Sequence, residues 1–209
     1  GQITVNGRPA DEYFPREALQ ILIRTPLALV DGLSRYDVSA KITGGGVAGQ
    51  AKALRRTYSS AGIDPATVEL VEAHGTGTKA GDAAEIEALT RVYRESGREG
   101  RWAALGSVKA QIGHTKSTAG AAGLVKAALA LHQRVLPPAA KIDRPNPKMG
   151  FERSPFYLST RARPWIRASD HPRRAAVSAF GFGGSNFHAV LEEHGDPDAV
   201  TAMSPADVE

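Results

Sequence analysis

Residues 106–126 read GSVKAQIGHTKSTAGAAGLVK: an apolar, strand-like lead-in, a lone histidine, then a helical run of small residues. That order places His114 at a strand-to-helix turn. Such turns carry catalytic groups in α/β proteins, because the loop end is open to substrate while the sheet beneath fixes its position. Residues 68–82, VELVEAHGTGTKAGD, repeat the design with His74 after a second apolar strand. Two histidine-bearing turns therefore frame the reading of the rest.

The 209 residues are 42% hydrophobic, enough for one large domain or two small ones. The charge of +4 comes from 26 basic and 22 acidic residues with no run of five of one sign, which gives no nucleic-acid-binding tail. No apolar segment approaches the roughly 20 residues of a membrane span, and the first residues lack a charged-then-apolar signal pattern. The expectation is a cytoplasmic protein without membrane contact. With no cysteine, disulfides, thiolate metal sites and a cysteine nucleophile are excluded. No HExxH or other paired metal spacing occurs, so no metal is expected.

At the start, QITV reads as a short strand into an Asn6-Gly7 turn. Pro15 opens a helix with Leu19, Leu22 and Ile23 on one face, and Pro26 begins a further helical turn. Tyr36, Val38, Ala40 and Ile42 alternate with polar residues as a half-buried strand. Over residues 1–50 the string GQITVNGRPADEYFPREALQILIRTPLALVDGLSRYDVSAKITGGGVAGQ resembles the middle of the ninth protein of the small ribosomal subunit. That family contacts RNA through a basic tail. Here Arg8, Arg16, Arg24, Arg35 and Lys41 are balanced by Asp11, Glu12, Glu17, Asp31 and Asp37, and the neutral sum argues against RNA as a partner.

From about Gly49, GQAKALRRTYSSAG reads as a helix with Ala51, Leu54 and Tyr58 on one face and Gly62 as its stop. VELVEA is a buried strand, Asp82 is placed to cap the helix AAEIEALTRVYRES, ALGSVKAQ is a second strand, and STAGAAGLVKAALALHQRV a second helix. Leu124, Ala128, Leu131 and Val135 form that helix's apolar stripe, while its small residues permit close packing. AAVSAFGFGGSNFHAVLEEH reads as two strands joined by a glycine turn. This stretch resembles the C-terminal half of a β-ketoacyl synthase, a thiolase-fold condensing enzyme, over about 49–195. GHTKSTAGAAGLVKAALALHQRVLPP is most similar to the ketosynthases of polyunsaturated-fatty-acid and polyketide synthases. The implied fold is α/β, a thiolase-like C-terminal half with a mixed sheet flanked by helices, after a short α+β segment. The expected divisions are 1–50, 51–195 and a disordered tail at 196–209.

The resemblance implies the roles of the site residues. His74 and His114 face each other as donors to an enolate, and Lys109 holds its neighbouring histidine in the working state. Thr76 and Thr78 contact the phosphopantetheine arm of an acyl carrier protein, the arm arriving on the substrate so that no separate cofactor is needed. In the GFGG turn, Phe182 and Gly183 bind substrate, Phe182 through its backbone N–H and as a gate over the acyl pocket. Malonyl and acyl thioesters are the implied substrates. His132, His171, His188 and His194 read as structural or solvated, and Glu85 and Glu87 as a solvated helix face. Gly75-Thr-Gly77-Thr-Lys-Ala80 also satisfies a loose dinucleotide fingerprint.

The family's cysteine lies on an N-terminal half that has no counterpart in this sequence, and neither Ser107 nor Ser185 is a convincing substitute. The expectation is a chimera joined within 48–51, in which strand Tyr36–Ile42 stands in for a lost strand of the sheet. An exposed apolar face should then drive self-association. The alternative is a ribosomal RNA-binding fragment fused to an inactive ketosynthase remnant.

Overall fold

Leu70 and Val71 are adjacent and both buried, yet they enter different cores, Val71 packing with Leu54 and Leu89, and Leu70 with Ala127 and Leu131. Strand side chains alternate between faces, so two consecutive buried residues require a sheet covered on both sides. In the computed structural model, which describes residues 2–5, 7–15, 17–28, 37–40, 45–142, 145–181 and 184–194, this sheet is the centre of the larger of two compact units, Gly45–Glu209.

Its five strands are β4 (Leu70–Glu72), β5 (Ala103–Gly106), β7 (Phe156–Tyr157), β9 (Arg174–Phe180) and β10 (Asn186–Glu192), in the order β10-β9-β4-β5-β7. β4 runs parallel to β5 and β9, with Glu72 level with Gly106 on one side and Val177 on the other. β9 and β10 are antiparallel, so the sheet is mixed, as expected. A small antiparallel pair, β6 (Val135–Leu136) with β8 (Arg163–Pro164), lies apart from it.

One face is covered by α3 (Gly46–Ala61) and α4 (Lys79–Arg94), the other by α6 (Ala119–Gln133). α3 buries Ala51, Leu54 and Tyr58, the spacing read from its sequence, and ends at Gly62 in the left-handed conformation a helix stop favours. α4 is capped by Thr78, whose hydroxyl accepts from the Gly81 N–H at 3.1 Å, rather than by Asp82. The segment read as a longer strand, ALGSVKAQ, is β5 only as far as Gly106. The chain then turns into the short α5 (Lys109–Ile112). On α6 the buried positions are Ala119, Gly123, Ala127, Ala130 and Leu131, whereas Leu124 and Ala128 of the expected stripe are exposed. The small residues face the sheet because a helix lying close to β9 leaves no space for larger ones.

The other unit, Gly1–Gly44, holds a three-stranded sheet β2-β1-β3, built from β1 (Ile3–Val5), β2 (Arg8–Pro9) and β3 (Val38–Ala40). β1 and β3 are parallel, with α1 (Ala10–Tyr13) and α2 (Glu17–Ala28) between them in the chain. β3 therefore belongs to this sheet and does not stand in for a strand of the larger one. α2 runs through Pro26 as one helix. The side chains of Leu19, Leu22 and Ile23, and residues 36, 41 and 42 of the expected strand, lie outside the described residues, as does the tail from 195. The expected join at 48–51 falls inside α3.

Candidate active site

Because β4, β5 and β9 are mutually aligned, their C-terminal ends open on one edge of the sheet. Loops leaving the carboxyl ends of parallel strands meet there, which is where α/β folds place their sites. His74 follows β4 by two residues, and Ser107, Lys109 and His114 follow β5. The two imidazoles stand edge to face, with ring centroids 5.9 Å apart, and the ring of Phe180 at the end of β9 lies 5.7 Å from His74. The expected pairing of His74 with His114 is thus a direct result of strand order.

The turns themselves are set by local chemistry. Gly75 (φ +47°) could carry no side chain, since a Cβ there would lie 2.8 Å from the Ser107 hydroxyl and its Cβ. The amides of His74 and Gly75 donate to the Glu85 carboxylate at 2.7 and 2.9 Å, and the Gly77 amide donates to Asp82 at 3.1 Å. Glu85 is thus a buried support of the His74 turn, not the solvated residue expected, while Glu87 is exposed. These carboxylates occupy the amides that a nucleotide phosphate would need, which removes the dinucleotide reading.

Beyond β5, α5 ends at Gly113 (φ +78°), which turns His114 back over the site. Its Nδ1 accepts the backbone N–H of Lys116 at 3.0 Å. With Nδ1 as acceptor, the neutral ring carries its proton on Nε2 and presents it outward as a donor. Burial, then the charges of Lys109 and His114, hold His74 down at about 4, so it is neutral near pH 7. Burial lowers Lys109, and the carboxylates of Glu72 and Glu85 oppose that shift. Burial pushes Glu85 up to about 7, against the pull of the two amides.

A cavity of about 510 Å³ lies over this edge, lined by Thr76, Glu85, Ser107, Lys109, His114 and Phe151 among others. Two buried polar atoms at this edge, His74 Nδ1 and Ser107 Oγ, have no hydrogen-bond partner among the described residues. Thr76 and Thr78 share a hydroxyl contact at 3.2 Å, but Thr78 also caps α4, so only part of its capacity remains for a ligand. Phe182 and Gly183 lie outside the described residues. His188 is not part of the site: on β10 it bridges Ser178 Oγ of β9 and Tyr58 OH of α3, each at 3.0 Å.

Sequence reasoning passed over Glu72 and Lys126. Glu72, 2% exposed, receives the Val108 N–H and, at 2.6 Å, the Lys126 ammonium. The signal was a charged residue inside the apolar run VELVEA, whose partner is distant in sequence.

The chain matches the profile of the family described as beta-ketoacyl synthase, C-terminal domain, over residues 31–143. It matches that of the ketoacyl-synthetase C-terminal extension over 145–207. The first match begins inside the segment likened above to a ribosomal protein. The chain is 44% identical over 153 residues to polyketide synthase GfsE of Streptomyces halstedii, an alignment covering 73% of this chain and 4% of that protein. It is 41% identical over 163 residues to polyketide synthase PksL of Bacillus subtilis, covering 78% and 4%. Among solved structures it is similar to the ketosynthase from module 6 of the Bacillus subtilis bacillaene synthase, with 42% identity and a TM-score of 0.70 over 74% of this chain and 28% of that one. The chain therefore spans 4% of these curated relatives and under a third of that solved chain.

Proposed function

The chain belongs to the β-ketoacyl synthase C-terminal domain family, and on that premise we propose that it supplies the enolate-stabilising half of a decarboxylating condensation site in fatty-acid or polyketide synthesis. The observation that carries this reading is the pair of imidazoles 5.9 Å apart at the ends of adjacent parallel strands, one held neutral and the other with its Nε2 proton directed outward.

In the first step the bond between the malonyl carboxylate and its α-carbon breaks. Carbon dioxide leaves and the electron pair moves to the thioester oxygen as an enolate. Neutral N–H donors fixed in advance stabilise that oxygen without reorganising. His74 and His114 fill this role, with Lys109 disfavouring protonation of His74. The enolate carbon then attacks an acyl thioester, and the C–S bond breaks as sulfur departs with the electrons. This chain has no cysteine to hold that acyl group, so the acceptor is carried by a cysteine-bearing N-terminal half. An acyl carrier protein delivers the malonyl group, its pantetheine arm running past Thr76, Thr78 and the turn of Phe182 and Gly183.

The test mixes the chain with a separately expressed ketosynthase N-terminal half, with and without its cysteine, and follows carbon dioxide release from a malonyl thioester. Release that falls about 10²–10³-fold with His114→Ala supports the reading. Release unchanged by His114→Ala and by His74→Ala overturns it. The chain alone should form no acyl adduct by intact mass.

Residues 1–50, which include the unit 1–44 with its own sheet, are read as the ribosomal-protein-like piece of a chimera joined within 48–51. Sequencing the encoding DNA across codons 40–55 in the source checks this, a junction absent from the source DNA marking it as an artefact. Self-association through the exposed apolar face of α5 and α6, in a cytoplasmic setting, completes the proposal. Among the described residues no helix is long and apolar enough to cross a membrane.

A further inference from the structure

Glu72 closes β4, two residues before His74, with its carboxylate sealed between the sheet and α6. One oxygen takes the Val108 amide, the residue immediately before Lys109, and the other takes Lys126 Nζ at 2.6 Å. The pair is largely shielded from water, the Lys126 side chain being 13% exposed and that of Glu72 3%. Two glycines make the space for it. A Cβ on Gly123 would stand 3.0 Å from Glu72 Cγ, and one on Gly106 would stand 3.3 Å from Lys126 Nζ. The backbone on two elements has therefore been kept bare around a single buried ion pair directly beneath the site.

A surface ion pair would contribute little and need no such accommodation. A buried one costs desolvation and is commonly no better for stability than apolar residues of the same volume. Stability alone therefore does not account for this pair, whereas its position relative to Lys109 and His74 does. We propose that Glu72 and Lys126 are positioning residues of the condensation site: Glu72 fixes the turn bearing Lys109 through the Val108 amide, and Lys126 balances the Glu72 charge so that the charge of Lys109 acts on the imidazoles. This role rests on the condensation reading, but the electrostatic arrangement exists in the chain whether or not it turns over substrate.

The charged and titratable groups around His74 are Lys109 on α5, His114 on the following loop and Glu85 on α4, while Glu72 at the end of β4 acts on Lys109, with Lys126 behind Glu72 on α6. Removing Lys126 leaves one uncompensated negative charge in this set, and removing the Glu72 charge leaves one positive. Like charges disfavour protonation and opposite charges favour it, so the two variants must move the same imidazole in opposite directions.

NMR titration of the His74 ring and the Lys109 side-chain CH₂ tests this in the intact chain without turnover. Lys126→Met should move both midpoints to higher pH, and Glu72→Gln, which keeps the acceptor for Val108, should move both to lower pH. Shifts of about half a pH unit or more are expected at such short range in a partly buried site. Lys126→Arg should restore the wild-type midpoints. Glu72→Gln guards against a Lys126→Met variant that does not fold. Midpoints unmoved in Glu72→Gln, or moved the same way in both variants, overturn the proposal. Opposite shifts with no carbon dioxide release in the reconstituted assay would leave the charge balance standing and count against the condensation reading alone.

Discussion

Three ionisable side chains shifted by burial, His74, His188 and Glu85, give the larger unit a stability optimum in pH. Burial holds His74 at about 4 and His188 at about 3 against 6.5 in the unfolded chain. The unfolded chain therefore binds protons first as pH falls, and the stability these two contribute is present above 6.5 and lost toward 4 and below. Glu85 acts in the opposite sense. Its folded value of about 7 lies above the ordinary 4.5, so its contribution is complete below 4.5 and lost as pH rises through about 7. Urea unfolding of wild type and Glu85→Gln across pH 4.5 to 8 should show the wild type losing ground by on the order of 3 kcal/mol relative to the variant. A constant difference between them would show that Glu85 titrates normally. His74 was legible in the sequence because it follows an apolar strand. The role of Glu85 was not, because a glutamate on an amphipathic helix reads as solvated until the loop that folds over it is known.

At the level of elements, α6 shows how a correct helix can be read with part of its inward face misplaced. Of the expected stripe, Leu131 is buried, but Leu124 is 43% exposed and Ala128 is exposed, while Ala119, Gly123 and Ala127 meet the sheet and Val125 and Leu129 are 58% and 55% exposed. Close approach of α6 to Glu72 and Val177 decides this, since a Cβ at Gly123 would already stand 3.0 Å from Glu72 and 3.3 Å from Val177. Gly123→Leu should destabilise the chain by about 1–3 kcal/mol through overpacking, beyond any gain in helix propensity. Ala128→Lys, placed by the sequence on the buried stripe but exposed in the structure, should change stability by no more than about 0.5 kcal/mol. Thermal or urea unfolding of the two variants separates the faces. On α3, where the spacing of Ala51, Leu54 and Tyr58 was read correctly, Leu54→Ala should cost about 2–5 kcal/mol.

For the molecule as a whole, the consequence of the α6 orientation is an outward apolar surface. Ile112, Val125 and Leu129 line a groove of about 970 Å³ along α5 and α6. An apolar patch of this kind exposed to water favours association. Light scattering should find the isolated chain self-associated, and Val125→Lys with Leu129→Lys should shift it toward monomer without loss of helix content. A monodisperse wild-type monomer would remove the self-association reading.

The sequence by itself determined the larger unit's main alternation of strand and helix and the two histidine turns, because each is written in local periodicity and in the residues flanking it, whereas the mixed sheet was implied only by the family resemblance. Only the tertiary structure decided what lies between distant segments. Parallel pairing of β4 with β5 brings His74 to His114, the packing of α6 turns Leu124 and Ala128 of its expected stripe outward while burying Leu131, and β3 pairs with β1 rather than with the larger sheet. Glu72, Lys126 and Glu85 acquire their roles in the same way. A buried charge persists only where a partner reaches it, and the partners lie 54 residues away for Glu72 and 10 or 11 for Glu85, separations that local pattern does not encode.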